Sequence, residues 1–570
     1  MIFKSKNNGV KSPEEKSDTS RLLSGKAKNK ERLLLILSGI LLGVSFPPVP
    51  FPFTLLMFVG LIPYLKIIEQ KERLLDINRS TYLMAFVFSA ITIYWVGSWQ
   101  KETDPFLMIS GGLLLFVNPA QLLIPSTLYY FTKKLFKRNI ALYVFPLFWV
   151  TYEYITMITE IRFPWMTLGS GLALFNDFIQ AADIFGSLGL SLIVLYINIF
   201  LYKAYVHYKI SKKKFYINFS TGVLIFVAVL IYGFVRKSSY DMPEKKIRVG
   251  LIQPNINPWD KWAIGDLNSF LNLYFDLSQK AVEDGAELLI WPETALPVYL
   301  MSGGHQSIVD SIYRFLEQKN IYLLTGMPDL QYHIKDNHPD DAKYGEEGDF
   351  YYSTYNAVML LSPHTRELQR YGKSKLVPFG EKVPYADKIP FLGSLIKWGV
   401  GLTGWNVGRD TTVFSMPFPE ANNHSIIYSE KDSIHINGLV CYESVFPDFV
   451  AQFVAKGAEM IAVVTNDSWY GKLSGPYQHK EYAALRAVEN RRSVVRAANG
   501  GISCIINPLG ITVIESEMFE KTFMVGDVAL ENEKTFFTSN PLIVPILSSV
   551  FSMWIAGIFI LKKIKTKFNL

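Results

Sequence analysis

Three residues in separate parts of the chain carry groups that could do covalent chemistry together: Glu293, Lys373 and Cys441. Cys441 closes the run Ile434-His435-Ile436-Asn437-Gly438-Leu439-Val440-Cys441, which reads as a short apolar strand, and Tyr442-Glu443 follow at once. A thiol at a strand end lies where an α/β sheet opens its crevice, a good position for a nucleophile. Taken alone, such a cysteine is more often a small buried apolar residue. Glu293 stands in Trp-Pro-Glu-Thr-Ala-Leu-Pro, directly after the apolar run Leu288–Trp291. Lys373 stands in Tyr-Gly-Lys-Ser-Lys-Leu-Val-Pro-Phe-Gly-Glu, with Glu381 eight residues further on. A single glutamate or lysine in a loop is usually a solvated charge. These sit among prolines, glycines and aromatics at strand ends, which is not the setting of an ordinary charged surface.

The three groups make one coherent set. A carboxylate can take the proton of a thiol, whose ordinary pKa of about 8.5 leaves it mostly un-ionised at neutral pH. The thiolate can then attack a carbonyl carbon. A lysine ammonium can stabilise the resulting oxyanion, a role commonly worth about 3–4 kcal/mol. The same carboxylate can finally activate the second nucleophile that releases the acyl group. Lys375 lies two residues from Lys373, and only the spacing to Glu381 favours Lys373.

The elements that must position these groups fall into two textures. The chain has 570 residues, 49% hydrophobic and 14% aromatic, and its mean hydropathy is +0.18. That is too long for one ordinary domain and too apolar for a purely soluble protein. The net charge of +7 does not point to nucleic acid, because the basic residues collect at the ends of apolar segments. Seven apolar segments lie near 33–46, 52–68, 81–99, 107–132, 140–157, 183–206 and 217–235, and an eighth near 541–561. The first two are short for a span and are split by Pro47-Pro48-Val49-Pro50, so a bent or partly inserted pair is expected. Residues 1–30 are polar and basic and predict a disordered tail; the chain ends in a second basic tail, 562–570.

Every second loop is basic. Lys71, Arg73 and Arg79 follow the second segment, Lys133, Lys134, Lys137 and Arg138 the fourth, and Lys212–Lys214 the sixth. By the positive-inside rule both tails are cytoplasmic and the section between the last two segments is outside. Within the spans, Glu153, Asn118 and Gln121 are polar. Each is either functional or a hydrogen-bond partner between helices. The outer loop Arg162-Phe163-Pro164-Trp165 predicts an interfacial anchor.

From residue 246 to 530 short apolar runs alternate with amphipathic stretches. The strand candidates are Ile247–Ile252, Leu288–Trp291, Ile321–Thr325, Ala357–Leu361, Ile434–Cys441, Met460–Thr465 and Ile502–Ile506; the helix candidates are Asn268–Glu283, Gln306–Gln318 and Tyr477–Asn490. That alternation predicts an α/β domain, layered α-β-β-α. Gln331–Asp349 and Glu420–Ser433 read as surface loops. The two cysteines, Cys441 and Cys504, supply neither a disulfide framework nor a metal-ligand set and are expected to stay unpaired. The eight histidines do not cluster at ligand spacing and no phosphate-cradling glycine loop is present, so no metal, cofactor or nucleotide is expected.

The motifs Trp-Pro-Glu-Thr-Ala around Glu293, Leu-Val-Pro-Phe-Gly-Glu-Lys-Val-Pro after Lys373, Val-Cys-Tyr-Glu at Cys441 and Asn-Asp-Ser-Trp-Tyr-Gly at 466–471 occur in order. They resemble the nitrilase (carbon–nitrogen hydrolase) superfamily. With a membrane domain over 31–236, an outer domain over 246–530 and a last span over 541–561, the arrangement resembles the apolipoprotein N-acyltransferases. The resemblance covers nearly everything beyond the N-terminal tail. It implies transfer of a fatty acyl chain from a membrane phospholipid, typically phosphatidylethanolamine, to the α-amine of the diacylglyceryl-modified N-terminal cysteine of apolipoproteins, by a ping-pong route through a thioester. It further implies Glu293 as general base, Lys373 as oxyanion stabiliser, Cys441 as nucleophile, and Glu381, Tyr442 and Glu443 as supporting residues. Trp262 matches a tryptophan linked to substrate handling. A monomer in the bacterial inner membrane, with its catalytic domain on the periplasmic side, is the implied setting.

Some features stay open at this level. Asn466-Asp467-Ser468-Trp469 is either a pocket wall or a turn with a helix cap. Arg486, Arg491, Arg492 and Arg496 either meet a phosphate or form surface or intradomain ion pairs. The apolar, glycine-punctuated stretch 390–400 is either a core segment or an arm that dips to the bilayer, in which case serine at Leu395 and Ile396 impairs transfer without misfolding. Two competing readings are a tethered amidase acting on soluble amides, which one anchor would serve, and a non-enzymatic outer domain, which would be indifferent to substitution of Cys441.

Overall fold

The computed structural model describes residues 13–101, 103–136, 138–259, 261, 267–345, 348–386, 388–389, 404–422 and 425–568. The N-terminal half is helical: α1 (Pro13–Gly43), α2 (Ile62–Gln70), α3 (Leu74–Thr92), α4 (Pro105–Gln121), α5 (Leu123–Leu135), α6 (Arg138–Ile158), α7 (Asn176–Ile179), α8 (Ala182–His207) and α9 (Lys212–Ser238). Where a disordered tail was expected to residue 30, the chain is helical from Pro13. Proline suits a first helical turn, and the Glu, Lys, Arg, Leu and Ala that follow are strong helix formers. The segment at 107–132 is broken into α4 and α5 at Leu122, between Pro119 and Pro125, each lacking the N–H of an unbroken helix. Gly39 lets α1 lie tightly against α3, since a Cβ there would stand 2.6 Å from the Met84 carbonyl oxygen.

Among the described residues six segments are long and apolar enough to cross a membrane: Phe53–Gln70, Pro105–Leu135, Ile140–Ile158, Ala182–His207, Lys212–Ser238 and Ile543–Lys567. Two apolar segments of the sequence fall outside that set. The stretch 33–46 is the end of α1, whose first half is charged, and 81–99 continues α3, which opens with Asp76 and Arg79.

The rest is an α/β domain of β1 (Lys246–Gln253), α10 (Leu267–Glu283), β2 (Leu288–Trp291), α11 (Gln306–Lys319), β3 (Tyr322–His333), β4 (Lys343–Gly345), β5 (Phe350–Leu361), β6 (Gln369–Gly372), β7 (Val413–Asn422), β8 (Ser425–Val440), α12 (Pro447–Ala455), β9 (Met460–Thr465), α13 (Ser474–Asn490), β10 (Ser493–Ala498), β11 (Cys504–Ile506), β12 (Thr512–Glu515) and β13 (Thr522–Ala529). The short α14 (Phe536–Ser539) leads into the terminal helix α15 (Ile543–Phe568). One sheet has the order β13-β1-β2-β3-β5-β4 with β6 also on β5, the other β12-β11-β10-β9-β8-β7. The central strands β1, β2 and β3 run parallel, as do β8, β9 and β10.

Alternation along β2 explains the layering. Leu288 and Ile290 join the core shared with Ile461 and Val463 of the second sheet, whereas Leu289 and Trp291 join Leu271 and Tyr274 of α10 and Leu316 of α11. Trp291 stacks on Tyr274 with ring centroids 4.5 Å apart and donates its indole N–H to Ser278.

Two expected loops are partly strand. Gln331–Asp349 holds the end of β3 and all of β4, which pairs Lys343–Gly345 with Phe350–Tyr352 of β5. Glu420–Ser433 belongs to the β7–β8 hairpin, which pairs Pro419–Asn422 with Ser425–Tyr428. Neither stretch sustains an alternation of apolar and polar residues in the sequence, so neither reads as strand.

The second sheet does not face water. Helix α13 is buried along nearly its whole length, between that sheet and the membrane helices. Gln478 makes four hydrogen bonds across the junction. Its Oε1 accepts from the indoles of Trp95 (2.9 Å) and Trp165 (2.7 Å), and its Nε2 donates to the carbonyls of Pro47 (2.9 Å) and Thr92 (3.0 Å). At the other end of α13, Arg491 donates to Asp183 Oδ2 at 2.6 Å and Gln180 Oε1 at 2.7 Å, and Glu489 accepts from the Ser187 amide at 2.8 Å.

Candidate active site

The three strand-end residues converge. Glu293 follows β2 in a turn that packs directly on Gly326 of β3; a Cβ at Gly326 would stand 2.6 Å from the Glu293 Cα. Lys373 follows β6, and its amide donates to the Asn356 carbonyl of β5 at 2.8 Å. Cys441 follows β8 and opens a short 3-10 turn, Cys441–Val445.

Lys373 Nζ lies 2.8 Å from Glu381 Oε1 and 3.5 Å from Glu293 Oε1. Its side chain is buried, which works against the charge, but the two carboxylates outweigh burial and hold the ammonium well above the usual lysine range. Glu381 is itself pinned, because its Oε2 accepts from the Val377 amide at 2.8 Å. Lys375 is excluded from this role. Its Nζ lies over the rings of Phe446 (5.6 Å) and Phe449 (5.2 Å) instead.

Cys441 keeps partial solvent access, and its φ of +50° is left-handed, costing on the order of 1–3 kcal/mol for a non-glycine residue. The turn that enforces this conformation is tied by side chains. The Cys441 carbonyl accepts from Ser444 Oγ at 2.8 Å and lies 3.1 Å from His479 Nε2. His479 Nδ1 lies 2.8 Å from Asp467 Oδ1, and Asp467 Oδ2 accepts from Arg496 at 2.8 Å. The Cys441 Sγ, an Asp467 oxygen and a His479 nitrogen lie within 4.8 Å of one another. Burial, and then the Glu293 charge, push the thiol above its ordinary pKa, with Lys373 opposing. The resting thiol is therefore protonated, and reaction needs a base.

Glu443 joins the two reactive loops. Its Oε1 accepts from the Tyr371 hydroxyl (2.6 Å) and from the amides of Ser374 (2.7 Å) and Lys375 (3.1 Å), while Oε2 accepts from the Val440 amide (2.9 Å). Tyr442 reaches the membrane domain: its hydroxyl donates to the Arg162 carbonyl at 2.7 Å and its ring stacks on Trp165. The loop at 162–165 is thus a docking element rather than an exposed anchor. Trp165 is buried among Trp95, Tyr442, His479 and Tyr482.

Sequence reasoning missed several residues here. Asn356, in mid-strand, donates from Nδ2 to Glu293 Oε1 (2.8 Å) and Glu381 Oε1 (3.1 Å), so one amide spaces both carboxylates. Lys261 is buried with Nζ 3.4 Å from the Glu293 carbonyl oxygen, and burial, opposed by the Glu293 charge, pulls its pKa down to about 7. Nothing in Asp-Lys-Trp or Tyr-Asn-Ala marks these as site residues. Trp262 and the stretch 390–400 lie outside the described residues.

The open alternatives divide. Asp467 belongs to the pocket wall through His479, and Trp469 meets Trp259 edge-on at 4.8 Å. All four arginines are buried and occupied. Arg486 pairs with Glu489 (2.7 Å), Arg496 with Asp467 (2.8 Å) and Arg491 with Asp183 (2.6 Å), while Arg492 holds carbonyls that include Ala458. Glu153 accepts from the Trp149 indole (3.1 Å) and the Leu168 amide (2.8 Å), and Asn118 donates to Ser89 Oγ (3.2 Å); both link membrane helices or loops. Both cysteines are free.

Residues 248–535 match the carbon–nitrogen hydrolase family, and residues 38–200 match the apolipoprotein N-acyltransferase N-terminal domain. The apolipoprotein N-acyltransferase of Chlorobaculum tepidum is 32% identical over 533 residues, covering 92% of this chain and 95% of that protein. Those of Rickettsia typhi (31% over 511 residues; 87% and 92% covered) and Geobacter metallireducens (30% over 521 residues; 89% and 91% covered) are similar throughout. Among solved structures, Saccharomyces cerevisiae Nit3, a member of branch 10 of the nitrilase superfamily, aligns over 53% of this chain and 97% of that one, at 15% identity and a TM-score of 0.34. With relatives of this identity along almost its whole length, the chain belongs to the apolipoprotein N-acyltransferase family and is an acyltransferase built on a carbon–nitrogen hydrolase domain.

Proposed function

We propose that the protein moves a fatty acyl chain from a membrane phospholipid to the α-amino group of the diacylglyceryl-modified N-terminal cysteine of apolipoproteins, through a thioester on Cys441. The observation that carries this reading is the meeting of Glu293, Lys373 and Cys441 beside a turn whose Tyr442 stacks on Trp165, from a loop between membrane helices. A tethered amidase would need no such seam with the bilayer half.

In the first half-reaction Glu293 takes the Cys441 proton and Sγ bonds to the ester carbonyl carbon of the donor. Lys373, held charged between Glu293 and Glu381, faces the oxyanion. Collapse breaks the ester C–O bond, and the leaving lysophospholipid oxygen takes the proton back from Glu293. In the second half the neutral amine attacks the thioester, Glu293 removes its proton, the amide forms, and the thiolate leaves and is reprotonated by Glu293. Asn356 and Glu381 keep base and ammonium in register throughout. The family resemblance favours phosphatidylethanolamine as donor. The alternation of basic loops supports a catalytic domain over 246–530 on the periplasmic side of the inner membrane.

Intact-mass measurement of the purified protein after incubation with phospholipid vesicles tests the reading, beside a Cys441→Ser control. A fatty-acyl increment on the wild type, removed by hydroxylamine and absent from the control, is expected. A folded enzyme that gains no increment would move the assignment to a hydrolase of soluble amides.

A further inference from the structure

The ends of α5 and α15 meet in an open cleft of about 380 Å³, far from the catalytic crevice. Lys134, Lys562, Lys563 and Lys567 line it together with Leu135, Phe559 and Thr566, and among the described residues no acidic side chain lines it. Glu72, the acid paired with Lys134 at 3.8 Å, is shared with Lys133 at 3.1 Å. The lining Phe559 of α15 stacks on Phe131 of α5 with centroids 4.0 Å apart, which joins the two helices at the cleft. Lys563 Nζ lies over the Phe559 ring, 5.5 Å from its centroid.

Connectivity fixes where the cleft lies. The catalytic domain joins the C-terminal end of α9 and the N-terminal end of α15, so the C-terminal end of α15 is at the opposite face of the spans. At 1.5 Å per residue, Ile543 to Lys562 places it about 30 Å away. Lysines at a helix C-terminus also complement its dipole and satisfy the orientation bias of membrane proteins. Neither effect requires four of them to converge on one concave site, with an aromatic ring in its wall, between two helices.

We infer that this cleft binds a phospholipid of net negative charge, its phosphodiester among Lys134, Lys562, Lys563 and Lys567 and its chains against Leu135 and Phe559. The inference rests on α15 spanning the membrane, not on the catalytic assignment. Basic pockets between helix ends at a membrane surface recognise lipids in this way, and each lysine is worth roughly a factor of five in affinity.

The test is native mass spectrometry of the full-length protein, delipidated in detergent and titrated with phosphatidylglycerol or phosphatidylethanolamine. The combined Lys562→Gln, Lys563→Gln and Lys567→Gln variant should hold phosphatidylglycerol on the order of 100-fold more weakly. Arginine at the same positions should retain it, and the Lys212→Gln, Lys213→Gln and Lys214→Gln control, which removes equal charge from the same face, should match wild type. Equal loss in the control, or no preference for phosphatidylglycerol, overturns the site. If the glutamine variant does not fold, a photoreactive phosphatidylglycerol on the wild type decides: label on peptides 128–135 and 559–567 supports the site, and label confined elsewhere refutes it.

Discussion

Replacing Glu443 by glutamine asks whether one buried carboxylate sets the distance between the lysine loop and the thiol. The carboxylate accepts three hydrogen bonds on Oε1 and one on Oε2, and its donors include Ser374, next to Lys373, and Val440, next to Cys441. A carboxamide has one oxygen. If that oxygen stays opposite Tyr371, Ser374 and Lys375, the new NH₂ points at the Val440 N–H and one bond is lost. A bond to a charged group is worth about 1.5–3 kcal/mol, and the three that remain become neutral and weaker. Relief from burying a charge offsets part of this, leaving a net loss of about 2–4 kcal/mol. Catalysis should suffer by a comparable amount, since a misplacement of about 1 Å costs on the order of 100-fold in rate. Single-turnover acylation of Cys441, followed by intact mass, should therefore fall about 100-fold in Glu443→Gln, with a lower unfolding midpoint. Glu443→Ala, which orphans all four donors, should be worse on both counts. Tyr371→Phe should cost about 1 kcal/mol in the wild type and less in the Glu443→Gln background. A Glu443→Gln enzyme within threefold of wild type, or an alanine variant no worse than the glutamine one, would refute the role.

Three further outcomes are expected. Because burial and the Glu293 charge raise the Cys441 pKa, alkylation of that thiol should climb with pH and not level off below pH 9; a plateau near neutrality would mean a preformed thiolate. Lys261 has a folded pKa of about 7 against about 10.4 unfolded, so between these values the unfolded chain binds the extra proton and stability should rise with pH. Lys261→Met should remove that rise in unfolding measurements from pH 7 to 9, and an unchanged slope would contradict it. Gln478→Met leaves two indole N–H groups and two carbonyls without partners, and should destabilise by about 3–6 kcal/mol while Cys441 chemistry survives at low temperature; a change under 1 kcal/mol would show that the seam holds without it.

Much of the layered domain was legible because β2, β8 and β9 are short apolar runs bounded by turn residues, and strand ends point to crevices. Glu293 and Cys441 stood out for the same reason, each standing at the end of such a run; Lys373 follows the polar Gln369–Gly372 and stood out by its spacing to Glu381. Strand β10 was not, because Arg496 sits inside Ser493–Ala498 and breaks the apolar pattern, its charge being balanced by Asp467 from another strand end. Asn356 and His479 could not be found by spacing. Each matters through partners distant in sequence, Glu293 for one and the Cys441 carbonyl for the other. The arginines between 486 and 496 look like surface charge in the sequence. They are buried because α13 has protein on both sides, which no periodicity announces.

Helix α13 also bears on how the molecule can be taken apart. A chain beginning near residue 240 would keep every reactive group and both sheets. It would also lay bare Gln478, Arg491 and Glu489, whose partners Pro47, Thr92, Trp95, Trp165, Gln180, Asp183 and Ser187 would be gone. The bilayer half is therefore part of the enzyme's foundation rather than a leash. Through this seam the reactive loops are built onto the helices rather than hung from them by a linker.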